Sequence, residues 1–142
     1  MQIRELMSKS VVSITPEESA ALAARLLTRH NLGMLPVCGQ DGRLVGVVTD
    51  RDIVTRCLAS GHSPESTAVR EVMTASVVCA RADMDTTEAA GMMGREQIRR
   101  LPVVEGGKLC GMVSLGDLAT FRDTTREASQ ALSQISSHLS SR

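Results

Sequence analysis

Apolar positions along this chain switch between two spacings, and the switches follow a fixed order. Val11-Val12-Ser13-Ile14 is a short apolar run of strand type. Ala20, Ala23, Ala24 and Leu27 then recur at helical spacing, the stripe of a helix with one buried face. Thr15-Pro16-Glu17-Glu18 precedes that stripe. With Thr15 as cap, Pro16 at the first helical position and Glu18 placed to close a capping box, it predicts the helix start. Gly33 is expected to end the helix. Leu35-Pro36-Val37-Cys38 returns to strand type, with Pro36 pointing to an edge or a strand end. Gly39-Gln40-Asp41-Gly42 is a turn, and Leu44-Val45-Gly46-Val47-Val48 the next strand. Thr49 opens a second helix whose apolar positions are Ile53, Val54, Cys57 and Leu58, and Gly61 closes it. The predicted order is strand, helix, strand, strand, helix.

That order is then written a second time. Ile3-Arg4-Glu5-Leu6-Met7-Ser8-Lys9-Ser10-Val11-Val12 returns as Val69-Arg70-Glu71-Val72-Met73-Thr74-Ala75-Ser76-Val77-Val78. Leu35-Pro36-Val37 returns as Leu101-Pro102-Val103, and Gly46-Val47-Val48-Thr49-Asp50-Arg51-Asp52 as Gly111-Met112-Val113-Ser114-Leu115-Gly116-Asp117. The offset is 66 residues from Ile3 to Val69 and 65 from Gly46 to Gly111. In the second copy Asp83 is the expected helix cap, Ala89, Ala90 and Met93 continue the stripe, and Gly106-Gly107 makes the turn. An internal repeat of this kind is a statement about architecture. The fold class is α/β (α+β): two tandem β-α-β-β-α units with pseudo-twofold symmetry and a cleft between the copies. A unit below roughly 70–80 residues has a marginal core of its own, so the two are expected to share one. The expected divisions are a first unit at 1–60, a linker at 61–68 containing Pro64, a second unit at 69–122 and a tail at 123–142.

Two segments leave alternatives open. Gly91 and Gly94 fall inside a helix, where each costs about 1 kcal/mol relative to Ala. Close approach of another helix, such as one from a second subunit, is favoured over an exposed, weakened helix. In the tail, Ala128, Leu132, Ile135 and Leu139 keep helical spacing within a Ser-rich stretch. A frayed polar tail and an amphipathic helix packed on its own body or across a dimer both fit.

Composition narrows the function classes. The chain has 142 residues, 42% of them hydrophobic, with 16 basic and 16 acidic side chains and so no net charge. That balance argues against nucleic-acid binding or membrane attachment through bulk charge. A single aromatic residue, Phe121, argues against stacking single-stranded bases. No apolar run reaches the ~18 residues of a membrane helix. Cys38, Cys57, Cys79 and Cys110 form no C-x-x-C pair, which fits a reduced, cytoplasmic protein. Cys79 and Cys110 lie in apolar runs and read as core, whereas Cys38 sits at a turn where a thiol switch is conceivable. His30, His62 and His138 are scattered and make no metal-ligand spacing.

The chemistry-bearing string is Gly-hydrophobic-hydrophobic-Ser/Thr-x-x-Asp, present in both copies at the strand-to-helix junction. Thr49 with Asp52, and Ser114 with Asp117, have the spacing of a helix capping box and could do nothing more. The same geometry suits a nucleotide. Helix N–H groups favour phosphate, and a carboxylate accepts both hydroxyls of a ribose. Gly46 and Gly111 would let a flat base lie close to the strand, covered by Ile14, Pro36 and Val47 in one copy. Arg51 could grip a phosphate in the first copy, where the second has Gly116; Lys9, Arg99 and Arg100 are further candidates. The Thr49–Asp52 site is therefore expected to prefer the more phosphorylated ligand.

Those residues carry a family resemblance. The Arg-Glu-Val-Met-Thr opening at Arg70, the hydrophobic-Pro-Val strands and the Gly-Val-Val-Thr-Asp-Arg-Asp-Ile string at Gly46 resemble a tandem pair of CBS domains (a Bateman module) over about residues 3–120. The resemblance implies a small stand-alone bacterial protein binding AMP, ADP or ATP, or S-adenosylmethionine or NAD, in the cleft between the units. It implies ribose contacts from Asp52 and Asp117, ribose or phosphate contacts from Thr49 and Ser114, and adenine contacts from backbone near Ile14 and Ala80. Pro36, Gly46, Val47 and Arg51 complete the expected nucleotide-binding set in the first copy, and Arg100, Pro102, Gly111 and Met112 in the second. It also implies a disc-like homodimer, with the helices carrying Ala23-Ala24 and Ala89-Ala90-Gly91 as candidate surfaces. The leading expectation is a non-catalytic regulatory sensor that signals through a homodimer or an unknown protein partner. The alternatives are a ligand-free structural or thiol-redox adaptor and an enzyme related to IMP dehydrogenase by its accessory module only.

Overall fold

The computed structural model describes residues 1–120 and 125–140, and the side chains of 1–120 and 126–137. The chain divides into two compact units, Val12–Val77 and Met1–Val11 with Val78–Arg142. The cut differs from the boundaries of the sequence repeat, because each repeat's opening segment completes the other body.

In the unit Val12–Val77, helix α1 is Ala20–Arg29, strand β1 Met34–Cys38, strand β2 Leu44–Thr49, and helix α2 Asp50–Ile53, continuing as a π-helical turn Val54–Leu58. A short helix α3, Val69–Val72, follows. The predicted strand at Val11–Ile14 is reduced to one parallel bridge, Ile14 to Val37. Strands β1 and β2 form an antiparallel hairpin with Pro36 opposite Val47 and Val37 opposite Gly46. Val47 sends its N–H to Thr74 O (2.9 Å) and accepts Thr74 N–H (2.8 Å). Its partner Pro36 therefore faces away from β2, where a missing N–H leaves no gap in the ladder.

The second unit repeats this plan. Strand β3 (Ala80–Arg81), helix α4 (Thr86–Glu96), strand β4 (Arg100–Glu105), strand β5 (Lys108–Ser114) and helix α5 (Leu115–Ala119) precede a last helix, α6 (Thr125–Ser140). Strand β3 is parallel to β4, and β4 antiparallel to β5. Gly106 (φ 61°) and Gly107 (φ 80°) make the β4–β5 turn, the left-handed pair that a two-residue hairpin needs. Gly42 (φ 85°) and Gly61 (φ 78°) close the turn and helix assigned to them.

Long-range backbone bonds moved several predicted boundaries. Ser19, not Thr15, caps α1, its hydroxyl accepting Leu22 N–H at 3.0 Å. The N–H groups of Ala20 and Ala21 go to Thr67 O and Pro64 O in the expected linker, so the helix begins where that segment meets it. Asp85, not Asp83, caps α4, accepting Thr87 N–H (2.9 Å) and the Thr87 hydroxyl (2.7 Å). Those two bonds hold the exposed Asp85 carboxyl below its ordinary range. After α1 the left-handed residue is Asn31 (φ 53°), with Gln97 (φ 57°) after α4; Gly33 does not supply it.

Among the described residues the single shared core expected from the sequence is not found. Buried hydrophobics form two clusters, one per unit, because each unit is completed by an opening segment. Val69 and Val72 join Ile14, Leu27, Leu35, Val37, Val48 and Ile53 in one. Ile3 joins Ala80, Met93, Leu101, Val103, Val113 and Leu118 in the other. Of the apolar positions from α2 onward, Ile53 and Cys57 are buried, while Val54 (54%) and Leu58 (53%), each one residue further round the helix, are exposed.

The tail is a helix on its own body. Ala128, Ala131 and Ile135 of α6 are buried, while Leu132 is 44% exposed and the side chain of Leu139 lies outside the described residues. The close approach expected at the helix glycines occurs at Gly94. A Cβ there would collide with the Gln134 side chain and lie 3.2 Å from Ala131 Cα, so the neighbour is α6 and not a second subunit. Ala89, Ala90 and Gly94 are buried within the unit, which removes them from an open dimer face. At Gly91 the nearest group is Arg95 Nη1 (3.2 Å). Gly94→Val is expected to destabilise the unit by about 1–3 kcal/mol through overpacking. Urea unfolding would read the loss, and limited proteolysis would detect release of α6.

Candidate functional site

Both copies of the motif end a strand and start a helix, and both form the complete capping box. Thr49 Oγ1 accepts Asp52 N–H (3.0 Å) while Asp52 Oδ2 accepts Thr49 N–H (3.1 Å). Ser114 Oγ accepts Asp117 N–H (3.0 Å) while Asp117 Oδ2 accepts Ser114 N–H (2.9 Å). The carboxylates are thereby oriented by their own backbones.

Beyond the box the two differ. Asp52 is 8% exposed. The Thr74 hydroxyl lies 3.4 Å from each of its oxygens, and Arg56 Nη1 lies 4.0 Å from Oδ1. Arg56 Nη1 also donates to Val72 O (3.2 Å) and Met73 O (2.9 Å). Asp117 is only half-buried, and its Oδ1 has no partner among the described residues. Sequence reasoning missed Thr74 and Arg56. Arg56 could have been found from its i,i+4 spacing to Asp52. Thr74 could have been found only by asking why a glycine stands at Gly46.

The space over both motif glycines is taken by the chain itself. A Cβ on Gly46 would lie 2.8 Å from Met73 Sδ and 2.8 Å from Thr74 O; one on Gly111 would lie 2.6 Å from Met7 Sδ and 2.9 Å from Ser8 O. Close backbone pairing accounts for these glycines without a base lying on the strand. Ile14, a candidate for meeting adenine, spends both backbone groups on β1: its N–H goes to Pro36 O (3.0 Å), and its carbonyl accepts Cys38 N–H (2.9 Å). Ala80 is paired with Val103 in the parallel ladder.

The remaining candidates fall into two groups, one in each unit. Pro36, Val47, Thr49 and Arg51 surround the first motif, with Pro36 buried and Arg51 exposed. Pro102 and Met112 face each other in register, and Arg100 stands opposite Ser114. Arg99 accepts Leu115 N–H through its carbonyl (2.8 Å), so both arginines flank the second motif, and both are exposed.

Cys38 is 7% exposed at the end of β1, correcting its expected place on an open turn. Burial pushes its thiol above the ordinary range, against a smaller opposing effect from Ser13. That disfavours the thiolate a redox switch needs. Cys79 and Cys110 are half-buried where full burial was expected, and burial also raises Cys110. Among the described residues no group of three or more His, Cys, Asp or Glu is placed to hold a metal ion. No described helix is long and apolar enough to cross a membrane.

Known proteins resemble this chain in sequence and fold. The CBS domain-containing protein YhcV from Bacillus subtilis is 39% identical to this chain over 134 residues, 94% of each. The crystal structure of Hypoxic Response Protein I with two coordinated zinc ions matches with a TM-score of 0.77 and 33% identity, over 84% of this chain and 98% of that one. The CBS domain pair of protein MJ0100, in complex with 5-methylthioadenosine and S-adenosyl-L-methionine, matches with a TM-score of 0.72 and 28% identity, over 84% of this chain and 94% of that one. The CBS-domain family matches this sequence twice, at residues 3–59 and 69–123. With both copies of the strand-to-helix motif inside those spans, the chain belongs to the CBS-domain family as a tandem pair.

Proposed function

We propose that this protein is a non-catalytic regulatory module that binds an adenosine compound through the carboxylate of its repeated motif. The observation that carries the reading is the motif's geometry. At each strand-to-helix junction the backbone fixes a carboxylate beside a hydroxyl, Asp52 with Thr49 and Asp117 with Ser114. A carboxylate so held is an acceptor for a vicinal diol, and hydrogen bonds to a charged acceptor contribute about 1.5–3 kcal/mol each. The MJ0100 pair in complex with two adenosine-containing molecules supports the same ligand class. AMP, ADP and ATP extend that class by phosphates that the exposed arginines Arg51, Arg99 and Arg100 can meet, and NAD belongs to it through its own adenosine half. Binding would be passed on to a second copy of the chain or to a protein partner.

Titration calorimetry of the full chain with AMP, ADP, ATP, NAD and S-adenosylmethionine tests the reading, with guanosine monophosphate as control. Saturable heat from at least one adenosine compound and none from the guanosine control is the expected result. A folded protein that binds none of the five overturns it.

A further inference from the structure

We infer that the two motif carboxylates have different tasks: Asp117 receives the ribose, whereas Asp52 is a structural lock, so that one chain takes one adenosine ligand. This rests on the nucleotide-binding reading above and adds which copy performs it.

The contacts of Asp52 leave little to offer a ligand. A carboxylate has about four acceptor positions, and a vicinal diol needs two of them on an open edge. One position of Asp52 holds the box, the Thr74 hydroxyl sits across both oxygens, and Arg56 approaches Oδ1. The same Arg56 binds the carbonyls of Val72 and Met73, and Thr74 is backbone-paired with Val47. Asp52 thus sits among α2, the segment at residues 72–74 and β2. A ribose at Asp52 would compete with Thr74 for both oxygens, and little of the residue meets solvent.

Among the described residues Asp117 has no such neighbours. The residue matching Thr74 in the repeat is Ser8, one methyl shorter, and its hydroxyl is directed to Ser10 O (3.5 Å) and not to Asp117. Oδ2 closes the capping box, and Oδ1 has no partner among the described residues. Cation placement agrees independently. Residues opposite each other on an antiparallel pair share a face, and Ser114 stands opposite the exposed Arg100, with Arg99 adjoining. Thr49 stands opposite Met34, and the position matching Arg99 is Gly33. The first motif also has two exposed cations, but Arg56 is committed to Asp52 and to the carbonyls of Val72 and Met73, and Arg51 does not free the carboxylate. This assignment runs against the ranking expected from Arg51 alone, which puts the more phosphorylated ligand at Thr49–Asp52.

The test is calorimetry of the full-length wild type, Asp117→Asn and Asp52→Asn with AMP, ATP and S-adenosylmethionine, beside thermal unfolding of each protein without ligand. One site per chain is expected. Asp117→Asn should weaken binding by about tenfold or more. Asp52→Asn should keep the single site within about threefold in affinity while lowering the unfolding temperature. If Asp52→Asn does not fold, Thr74→Val gives the same reading: it removes the hydroxyl lock and should leave the single site's affinity in place. Two comparable sites in the wild type, or binding lost in Asp52→Asn and retained in Asp117→Asn, overturns this assignment while the nucleotide-binding reading stands. No binding of any of the three by folded wild type overturns both.

Discussion

Gly46→Val is expected to lower stability by about 3–5 kcal/mol, the combined cost of overpacking and of a broken backbone pair. The first atom added would lie 2.8 Å from Met73 Sδ and 2.8 Å from Thr74 O. The methionine can swing aside; the carbonyl cannot, because it accepts Val47 N–H while Thr74 N–H donates back to Val47 O. Relieving the clash therefore means separating the segment at residues 73–74 from β2, which also pulls on the carbonyls that Arg56 holds. The sign is diagnostic. An interior strand glycine facing open space is less stable than Ala by about 0.5–1 kcal/mol, so replacing one kept free for a ligand would stabilise the apo protein. Urea unfolding of wild type, Gly46→Ala and Gly46→Val separates the cases. A midpoint that holds or rises in both variants would contradict the packing role, and Gly111, crowded by Met7 and Ser8, should behave as Gly46 does.

What the sequence revealed follows from the range of the interactions concerned. Hairpins were legible because their signals are local: Gly106-Gly107 needs nothing beyond its own φ angles, and the apolar runs at Leu35 and Leu44 needed only each other. The capping boxes at Thr49 and Ser114 were legible for the same reason, each closing over three residues. Helix starts were misplaced where a distant segment decided them. Thr15-Pro16-Glu17-Glu18 has good cap chemistry, yet α1 waits for Ser19 because Thr67 and Pro64 supply the acceptors for its first N–H groups. Asp85 occupies the matching place at α4, where Thr86 N–H goes to Met1 O. The neighbourhood of Asp52 was hidden in the same way, since Thr74 lies 22 residues along the chain. The repeat paired the candidate residues of the two motifs, and Arg51 against Gly116 already set them apart, but Thr74 and Ser8 read as equivalent hydroxyls until their bonds are seen.

Ile3→Ala is expected to cost about 2–5 kcal/mol, as a fully buried aliphatic side chain cut back to a methyl leaves a cavity. By the sequence repeat Ile3 opens the first copy, yet it is 0% exposed in a cluster with Leu101, Val103, Val113 and Leu118. Its N–H donates to Met84 O (2.8 Å) and that of Arg4 to Ala82 O (3.0 Å), so the segment is tied in by backbone as well as by packing. Hydrogen exchange should locate the damage: amides of β4 and β5 lose protection, while those of β1 and β2 keep theirs. Val69→Ala should produce the mirror image, since Val69 is buried with Ile14, Leu35 and Val48 and its N–H donates to Glu18 O. If Ile3→Ala instead loosens β1 and β2, the bodies follow the repeat boundaries and not the exchange of opening segments. The expected pattern has a physical basis. A unit of this size holds a marginal core, and one isoleucine contributed from far along the chain is a large fraction of it.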